Sequence, residues 1–195
     1  MAENKKYYES LDFLSLSDLI TQTSDTTAQS ILETFSCKIN SDLETFLTSG
    51  NAVRFEINHT TRTYLYIEMI EEKPEIIAYF TISLKILSTE GLAKSLIKKL
   101  DGIDRKRTNI PCFLIAQLGK TSSCEYRIGQ HLLDDAIDTI QSIKKQIGGR
   151  FIILDSVNVE KVLDFYKNKP NIFTLLDTPK KTSKSLKMYY PLYSN

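Results

Sequence analysis

Hydrophobic and polar residues alternate along residues 61–71, and a period of two is typical of a half-buried β-strand. A charged turn that ends at Pro74 interrupts the alternation. Residues 75–86 then continue as a second run that is rich in β-branched and aromatic residues. The pattern predicts a β-hairpin.

The first 50 residues are polar and carry only short apolar faces. Leu43, Phe46 and Leu47 fall at the i, i+3, i+4 spacing of one helix face, and Ser41 with Asp42 is a candidate cap for that helix. This part of the chain is therefore predicted to be helical.

The second half of the chain alternates apolar strands with amphipathic helices. A short helix near Leu92 and a charged loop at 101–109 precede it. The predicted order is then a buried strand at 112–118, a polar loop at 119–128, a helix from Gly129 to the Gly148-Gly149 pair, a strand at 150–155, a helix at 159–168, and closing strands at 171–176 and 186–193.

Composition adds limits to this picture. Of the 195 residues, 42% are hydrophobic and 25% are charged, which predicts a single folded domain over residues 1–195. The start carries no apolar signal segment and no run reaches the roughly 20 apolar residues of a membrane helix, so we expect a cytoplasmic protein without membrane contact. A net charge of +1 gives no support for a nucleic-acid binder, and three widely spaced cysteines predict reduced thiols and no metal site.

The loop between the buried strand and the helix that starts at Gly129 is a candidate anion site. The first N–H groups of a helix lack partners within it, and the helix dipole places positive potential there. Arg127 lies in this loop, and a glycine lets a ligand approach the backbone closely. A pyrophosphate fits such a turn, although many α/β proteins have the same turn with nothing bound.

Several segments in this order resemble the GNAT superfamily of N-acyltransferases. Over residues 35–193 the similar segments are 110–119, which resembles the pantetheine-binding strand, 129–133, the start of the helix after the pyrophosphate loop, 148–154, the strand that splays from the first, and Asp164-Phe165-Tyr166, the family's phenylalanine-tyrosine pair.

The resemblance implies an α/β fold with a GNAT-like mixed, mostly antiparallel twisted sheet, a splayed central pair of strands and flanking helices. It makes residues 112–193 the acyl-CoA-binding half and residues 1–34 a helical N-terminal extension. It also implies an acetyl-CoA-dependent N-acetyltransferase, in which a primary amine attacks the bound thioester directly.

Upstream stretches are similar to one branch of the superfamily. Residues 35–37, 43–47 and 78–83 resemble the N-terminal half of a branch that includes toxins acetylating aminoacyl-tRNA. The acceptor stays open between a small-molecule amine, a protein and aminoacyl-tRNA, and proteins of this family often form homodimers. The alternative is a non-catalytic GNAT-like protein that binds a partner protein or nucleic acid.

The phosphate loop departs from the family pattern Gln/Arg-x-x-Gly-x-Gly/Ala. The corresponding positions are Cys124, Arg127 and Gly129, so only the last glycine is kept, and the loop is slightly shorter. Either backbone N–H groups from Arg127 to Gln130 and the Arg127 guanidinium bind the pyrophosphate, or coenzyme binding is weakened or lost. The residues that the resemblance places against the coenzyme are Leu118, Lys120, Tyr126, Arg127, Ile128, Gly129, Gln130 and Asn158.

Tyr166 is the candidate catalytic residue. The matching tyrosine of the family lies near the coenzyme A sulfur and donates a proton to the departing thiolate. A phenol with an ordinary pKa near 10 stays protonated at neutral pH and suits that role. The alternative is a tyrosine packed in the core of an amphipathic helix. Asn158 is open between a bond to the pantetheine arm and an ordinary helix N-cap.

Other polar residues receive no assigned role. We expect His131 to face solvent rather than phosphate, and His59 to lie in a loop. Glu68 and Glu125 are candidate bases for the ammonium proton, and surface carboxylates are the simpler interpretation. The tyrosines and Phe80 of the hairpin are expected to pack across the strands rather than to line an acceptor cleft.

Overall fold

The computed structural model describes residues 2–176 and 183–193, and these form eight helices and seven strands. In chain order the elements are α1 (Ala2–Glu9), β1 (Asp12–Ser15), α2 (Leu16–Gln22), α3 (Asp25–Leu32), α4 (Ser41–Thr48), α5 (Asn51–Ile57), β2 (Arg62–Ile70), β3 (Lys73–Ser88), α6 (Lys94–Asp101), β4 (Asn109–Lys120), α7 (Gly129–Ile147), β5 (Phe151–Val157), α8 (Glu160–Lys167), β6 (Thr174–Leu175) and β7 (Ser185–Pro191).

The seven strands of the described residues form one sheet in the order β1-β2-β3-β4-β5-β7-β6. The pairs β1–β2, β2–β3, β5–β7 and β6–β7 are antiparallel. β4 and β5 run parallel, and their ladder consists of Phe113 with Ile152 and Leu114 with Ile153. A mixed, mostly antiparallel sheet with a briefly joined central pair confirms the predicted fold class.

The predicted hairpin consists of β2 and β3, which are joined at Glu71 and Glu72. Both turn residues have positive φ angles, 48° and 64°, as a two-residue type I′ turn requires. Tyr64 lies opposite Phe80, with ring centroids 4.9 Å apart. This stacking confirms the expected cross-strand packing of the hairpin aromatics.

Two local predictions for the first 50 residues were wrong. Asp12–Ser15 is a strand rather than part of a helix, because it pairs antiparallel with β2. The cap of α4 is Asn40, whose Oδ1 accepts a hydrogen bond from Asp42 N–H at 3.1 Å, whereas Ser41 is the first residue of the helix.

The chain divides into two compact units, 1–83 with 117–140 and 84–116 with 141–195. The first unit buries residues of α2 to α5 against one face of β2 and β3, among them Leu16, Leu32, Phe35, Leu47, Leu65 and Tyr79. The second buries residues of α6, β4, β5 and β7, among them Leu100, Ile110, Phe151, Ile153 and Tyr189. A single domain over the whole chain stays a prediction.

Cys37 and Cys112 lie within these two cores, and Cys124 lies in the loop after β4. Cys37, Cys112 and Cys124 are buried free thiols, and burial raises the pKa of the Cys112 thiol to about 11. A thiol with that pKa is a poor nucleophile, because its thiolate is scarce at neutral pH. No helix in the described part of the chain is both long enough and apolar enough to cross a membrane.

Candidate coenzyme and acyl-transfer site

The loop after β4 is fixed within the first unit. Leu118 and Lys120 are half-buried at the end of the strand. Thr121 N–H donates to Ile77 O of β3 at 2.7 Å, which holds the start of the loop. Lys120 Nζ donates to Cys124 O and so joins the strand end to the middle of the loop. The predicted coenzyme residues other than Asn158 therefore lie along one restrained segment, from Leu118 to Gln130.

The start of α7 is not capped by the residue before it. Ile128 is fully buried, and its carbonyl accepts the first i→i−4 hydrogen bond of the helix, from Leu132 N–H at 3.1 Å. An isoleucine side chain has no acceptor for the N–H groups of the first turn. A Cβ built on Gly129 meets nothing within 4 Å, so this turn is open on its outer side. Both features fit a phosphate group.

Two loop residues are in contact with α1, the helix that precedes the first strand. Tyr126 stacks on Tyr7, with ring centroids 3.9 Å apart and planes 15° apart. Arg127 N–H donates to Asn4 Oδ1 at 3.1 Å. The Arg127 guanidinium is exposed and forms no ion pair with any carboxylate of the described residues. Its charge is therefore available to an anion.

The first turn of α7 carries two polar side chains with packed neighbours. Gln130 Nε2 donates to Asp134 Oδ1 at 2.8 Å along the same helix. The expectation that His131 faces solvent was wrong, because its ring is half-buried and stacks on Tyr8 with centroids 5.1 Å apart. The helix α1 covers that side of α7 and takes the place of solvent.

Tyr166 lies in α8 of the second unit and is 9% exposed. Its ring makes edge contacts with Phe165 and Phe173, with centroids 5.0 and 5.5 Å apart. Its hydroxyl has no hydrogen-bond partner among the described residues, and it is not sealed from solvent. Burial raises the pKa of Tyr166 to about 12. The packed ring and the accessible, protonated hydroxyl suit a hydrogen-bond donor to a ligand.

Asn158 follows β5 in the same unit. Its Nδ2 donates to Ser183 O and its N–H donates to Lys184 O, both at 2.9 Å. The N-cap alternative for Asn158 was wrong, because Val159 is the N-cap of α8 and it forms no side-chain cap. A contact between Asn158 Oδ1 and the pantetheine arm stays a prediction.

Of the remaining candidates, Glu68 and His59 have polar contacts. Glu68 accepts a hydrogen bond from Tyr7 OH at 2.8 Å, and Glu125 is exposed. His59 lies in the loop after α5, as predicted, with φ of 59° and its Nδ1 3.1 Å from Arg62 Nη2. None of these contacts distinguishes a general base.

The sequence matches no protein-family model and no curated protein sequence. Solved structures match nearly the whole chain. AtaT complexed with acetyl-methionyl-tRNAfMet has a TM-score of 0.67 at 22% identity and covers 93% of this chain and 95% of its own. A tyrosine-to-phenylalanine mutant of KacT has a TM-score of 0.67 at 20% identity, over 93% and 94% of the two chains. AtaTR bound with AcCoA has a TM-score of 0.64 at 19% identity, over 94% of each chain.

The chain has the GNAT fold. β4 and β5 correspond to the splayed pair of that fold, and α8 carries Phe165 and Tyr166. The loop before α7 lies where the sequence resemblance expects the phosphate loop, and it is called the phosphate loop below. The elements thus fall in the order that the sequence resemblance implied. At identities of 19–22%, these three neighbours show the fold of this chain but not its activity. Its activity has to be argued from its own residues.

Proposed function

We propose that this chain is an N-acetyltransferase that transfers the acetyl group of acetyl-CoA to a primary amine in a ternary complex. The observation that carries the proposal is the shared fold with AtaT complexed with acetyl-methionyl-tRNAfMet, over 93% of this chain. The AcCoA-bound AtaTR structure, which has the same fold, adds support. The coenzyme supplies the acetyl thioester.

Polar groups suited to coenzyme A occur in the first unit and, separately, in the second. In the first unit, the N–H groups at the start of α7 and the Arg127 guanidinium are suited to hold the pyrophosphate, because the helix dipole places positive potential at that end and the exposed guanidinium adds a full positive charge. Leu118, Lys120 and Tyr126 lie on the strand and loop that precede them. In the second unit, Asn158 Oδ1 accepts a hydrogen bond from the pantetheine amide.

Tyr166 Oη acts on the leaving sulfur. With its pKa near 12, the phenol keeps its proton at neutral pH and donates a hydrogen bond as negative charge develops on the sulfur. Complete proton transfer to an ordinary thiolate is uphill by roughly 3–4 pKa units, or about 5 kcal/mol. Tyr166 therefore stabilises the departing thiolate chiefly as a hydrogen-bond donor.

A basic groove of the second unit favours aminoacyl-tRNA as the acceptor. The groove has a volume of about 550 Å³. Its lining contains no acidic residue, and its cations are Lys94, Lys98, Lys99, Arg105 and Arg150. The Arg150 guanidinium lies 4.2 Å from the centre of the Tyr193 ring and is held there by its Nε bond to Leu100 O at 3.1 Å. Asp101, beside the lining, interacts electrostatically with Arg150. The five cations still outnumber it, and a lining with this excess of positive charge fits a phosphodiester backbone.

The position of the groove also bears on the size of the acceptor. Arg150 precedes the seven residues of β5, and Asn158 follows them. Seven strand residues span about 23 Å. An acceptor that binds the groove and also reaches α8 is therefore a long molecule. Aminoacyl-tRNA meets both the charge and the length requirement. It is also the acceptor expected if this chain is a toxin-like GNAT protein.

Acetyl-CoA is expected to stabilise the folded chain. At one hundred times Kd, a ligand that binds only the native state adds about 2.7 kcal/mol, which is roughly 5–10 °C in melting temperature for a domain of this size. Differential scanning fluorimetry measures the shift, and thiol release with methionyl-tRNA measures turnover. Deacylated tRNA, which lacks the amine, is the control.

The outcomes separate the candidate functions. Thiol release with methionyl-tRNA supports the acetyltransferase and its acceptor. A thermal shift without thiol release for any amine tested favours a non-catalytic GNAT-like binding protein. No shift at millimolar acetyl-CoA contradicts the proposal. A homodimer, which the family resemblance implies, stays a prediction, and light scattering would then give twice the 22.3 kDa chain mass.

Neutralising the groove is expected to weaken RNA binding in a salt-dependent way. Each lost phosphate contact lowers the slope of log Kd against log salt by about 1. The double variant Lys98→Gln and Lys99→Gln should therefore lose about 2 from the slope. Lys73→Gln with Lys145→Gln makes the same change in net charge outside the groove and should leave the slope unchanged. Equal slopes for both double variants would exclude the groove as the RNA site.

A further inference from the structure

The helix α1 is in contact with the phosphate loop of the first unit through Asn4 and Tyr7. Asn4 Oδ1 accepts a hydrogen bond from Arg127 N–H at 3.1 Å. The Tyr7 ring lies 3.9 Å from the Tyr126 ring, and the two planes are nearly parallel at 15°. Tyr7 OH also donates to Glu68 Oε2 of β2 at 2.8 Å. We call the Asn4 and Tyr7 contacts with the loop the α1 latch.

The next residue of α1 is an anchor that does not involve the loop. Tyr8 is buried, and its ring lies between Tyr66 and His131, with centroid distances of 4.8 and 5.1 Å. Its hydroxyl donates to Asp135 Oδ2 at 2.7 Å, and Tyr66 OH donates to the same oxygen at 2.6 Å. Because the anchor rests on β2 and α7, α1 keeps this attachment when the latch opens.

The latch occupies a donor that the pyrophosphate needs. In the proposed site the phosphate oxygens accept from backbone N–H groups between Arg127 and Gln130. The Arg127 N–H already points at Asn4 Oδ1, and a phosphate oxygen bound there requires the same position about 3 Å from the nitrogen. Two oxygens cannot occupy the same position on the N–H axis, and sharing the N–H between them weakens both hydrogen bonds. Coenzyme and Asn4 therefore compete for this atom.

The release of the latch costs little compared with the release of the whole helix. Asn4 and Tyr7 are half-buried, whereas Tyr8 is 8% exposed and holds the anchor. A helix of eight residues is not stable in isolation and depends on its docked contacts. The Asn4 end can therefore fray while the Tyr8 end stays packed.

We propose that α1 is a built-in competitor of acetyl-CoA, which closes the phosphate loop until the coenzyme displaces Asn4. This inference rests on the proposed function and adds the regulation of the same site. The apparent affinity for coenzyme is reduced by the fraction of molecules whose latch is closed. Any partner that pulls α1 away from the loop raises that affinity.

Substitutions of Asn4 with opposite expected effects test the competition. Asn4→Ala removes the competing acceptor, and the loss of an ordinary hydrogen bond should lower Kd for acetyl-CoA about fivefold. Asn4→Asp places a carboxylate on the same N–H, which strengthens the latch and repels phosphate, and should raise Kd by about fivefold or more at low salt. Lys6→Ala, on the exposed side of the same helix, retains both latch contacts and is the control.

Titration calorimetry with acetyl-CoA gives Kd, and steady-state kinetics should show a lower KM for acetyl-CoA in Asn4→Ala with kcat unchanged. Equal Kd values for wild type, Asn4→Ala and Asn4→Asp would overturn the latch and leave the proposed function intact. Weaker binding by Asn4→Ala would make α1 a support of the loop and overturn the competition. No binding by any form, Asn4→Ala included, would remove the proposed function and the competition together.

Discussion

Tyr166→Phe is expected to lower kcat by about 100-fold while changing the affinity for acetyl-CoA by no more than about twofold. The substitution removes a hydroxyl that has no hydrogen-bond partner among the described residues. It keeps the ring between Phe165 and Phe173, so the packing of α8 is preserved. In the proposed function this hydroxyl donates to the departing sulfur, and that contact strengthens as charge develops, so its removal is expected to affect kcat rather than binding.

Steady-state kinetics at saturating acetyl-CoA and titration calorimetry separate the two effects. Tyr189→Phe is the matched control, because it removes the hydroxyl of another buried tyrosine of the second unit, on β7, and it should retain full turnover. Burial raises the pKa of Tyr166 to about 12, so kcat should show no loss from its ionisation up to about pH 10. If Tyr166→Phe had the same kcat as the wild type, Tyr166 would not be a catalytic residue.

The elements with regular patterns could be predicted from the sequence. The alternation in residues 61–71 indicated β2, because one face of that strand packs on a helical layer. The long helix α7 was indicated by its apolar face, whose residues Leu132, Leu133, Ala136, Ile137 and Ile140 are all buried. Gly148, at φ of 78°, ends that helix as the pattern required. These elements could be predicted because buried residues recur along each of them at the period of the strand or helix backbone.

Features that depend on long-range pairing could not be predicted in the same way. β1 has four residues, too few for a periodic signal, and it is a strand only because β2 pairs with it. Asn4 is far from Arg127 along the chain, and nothing in a short polar helix indicates that its amide would lie on the phosphate loop. The groove cations come from α6, the loop after it and the residue before β5, so their convergence appears only in the fold.

The second large expected effect is the loss of stability in Gly149→Ala, at least about 3 kcal/mol of unfolding free energy. Gly149 has φ of 129°, a conformation that residues with a Cβ rarely adopt, and an added Cβ would lie 2.3 Å from Cε2 of Phe113. Phe113 is buried and pairs with Ile152 where β4 joins β5, so its ring cannot move away cheaply. Urea denaturation measures the loss.

The neighbouring glycine provides the control. Gly148 also has a positive φ, 78°, but a Cβ there meets nothing within 4 Å. Gly148→Ala should therefore lower the free energy of unfolding by only about 1 kcal/mol, the cost of placing alanine at a positive φ. Equal losses for the two variants would show that the Phe113 contact contributes nothing.

A double-mutant cycle isolates that contact. Phe113→Leu removes the ring atoms nearest the added Cβ, so Gly149→Ala should cost at least about 1 kcal/mol less in the Phe113→Leu background than in wild type. Strictly additive losses would contradict the steric explanation and leave only the strain at φ of 129°. Because β5 starts two residues after Gly149 and leads to Asn158 and α8, any loss of acetyl transfer in Gly149→Ala should follow the unfolded fraction, whereas the loss in Tyr166→Phe should occur in fully folded protein.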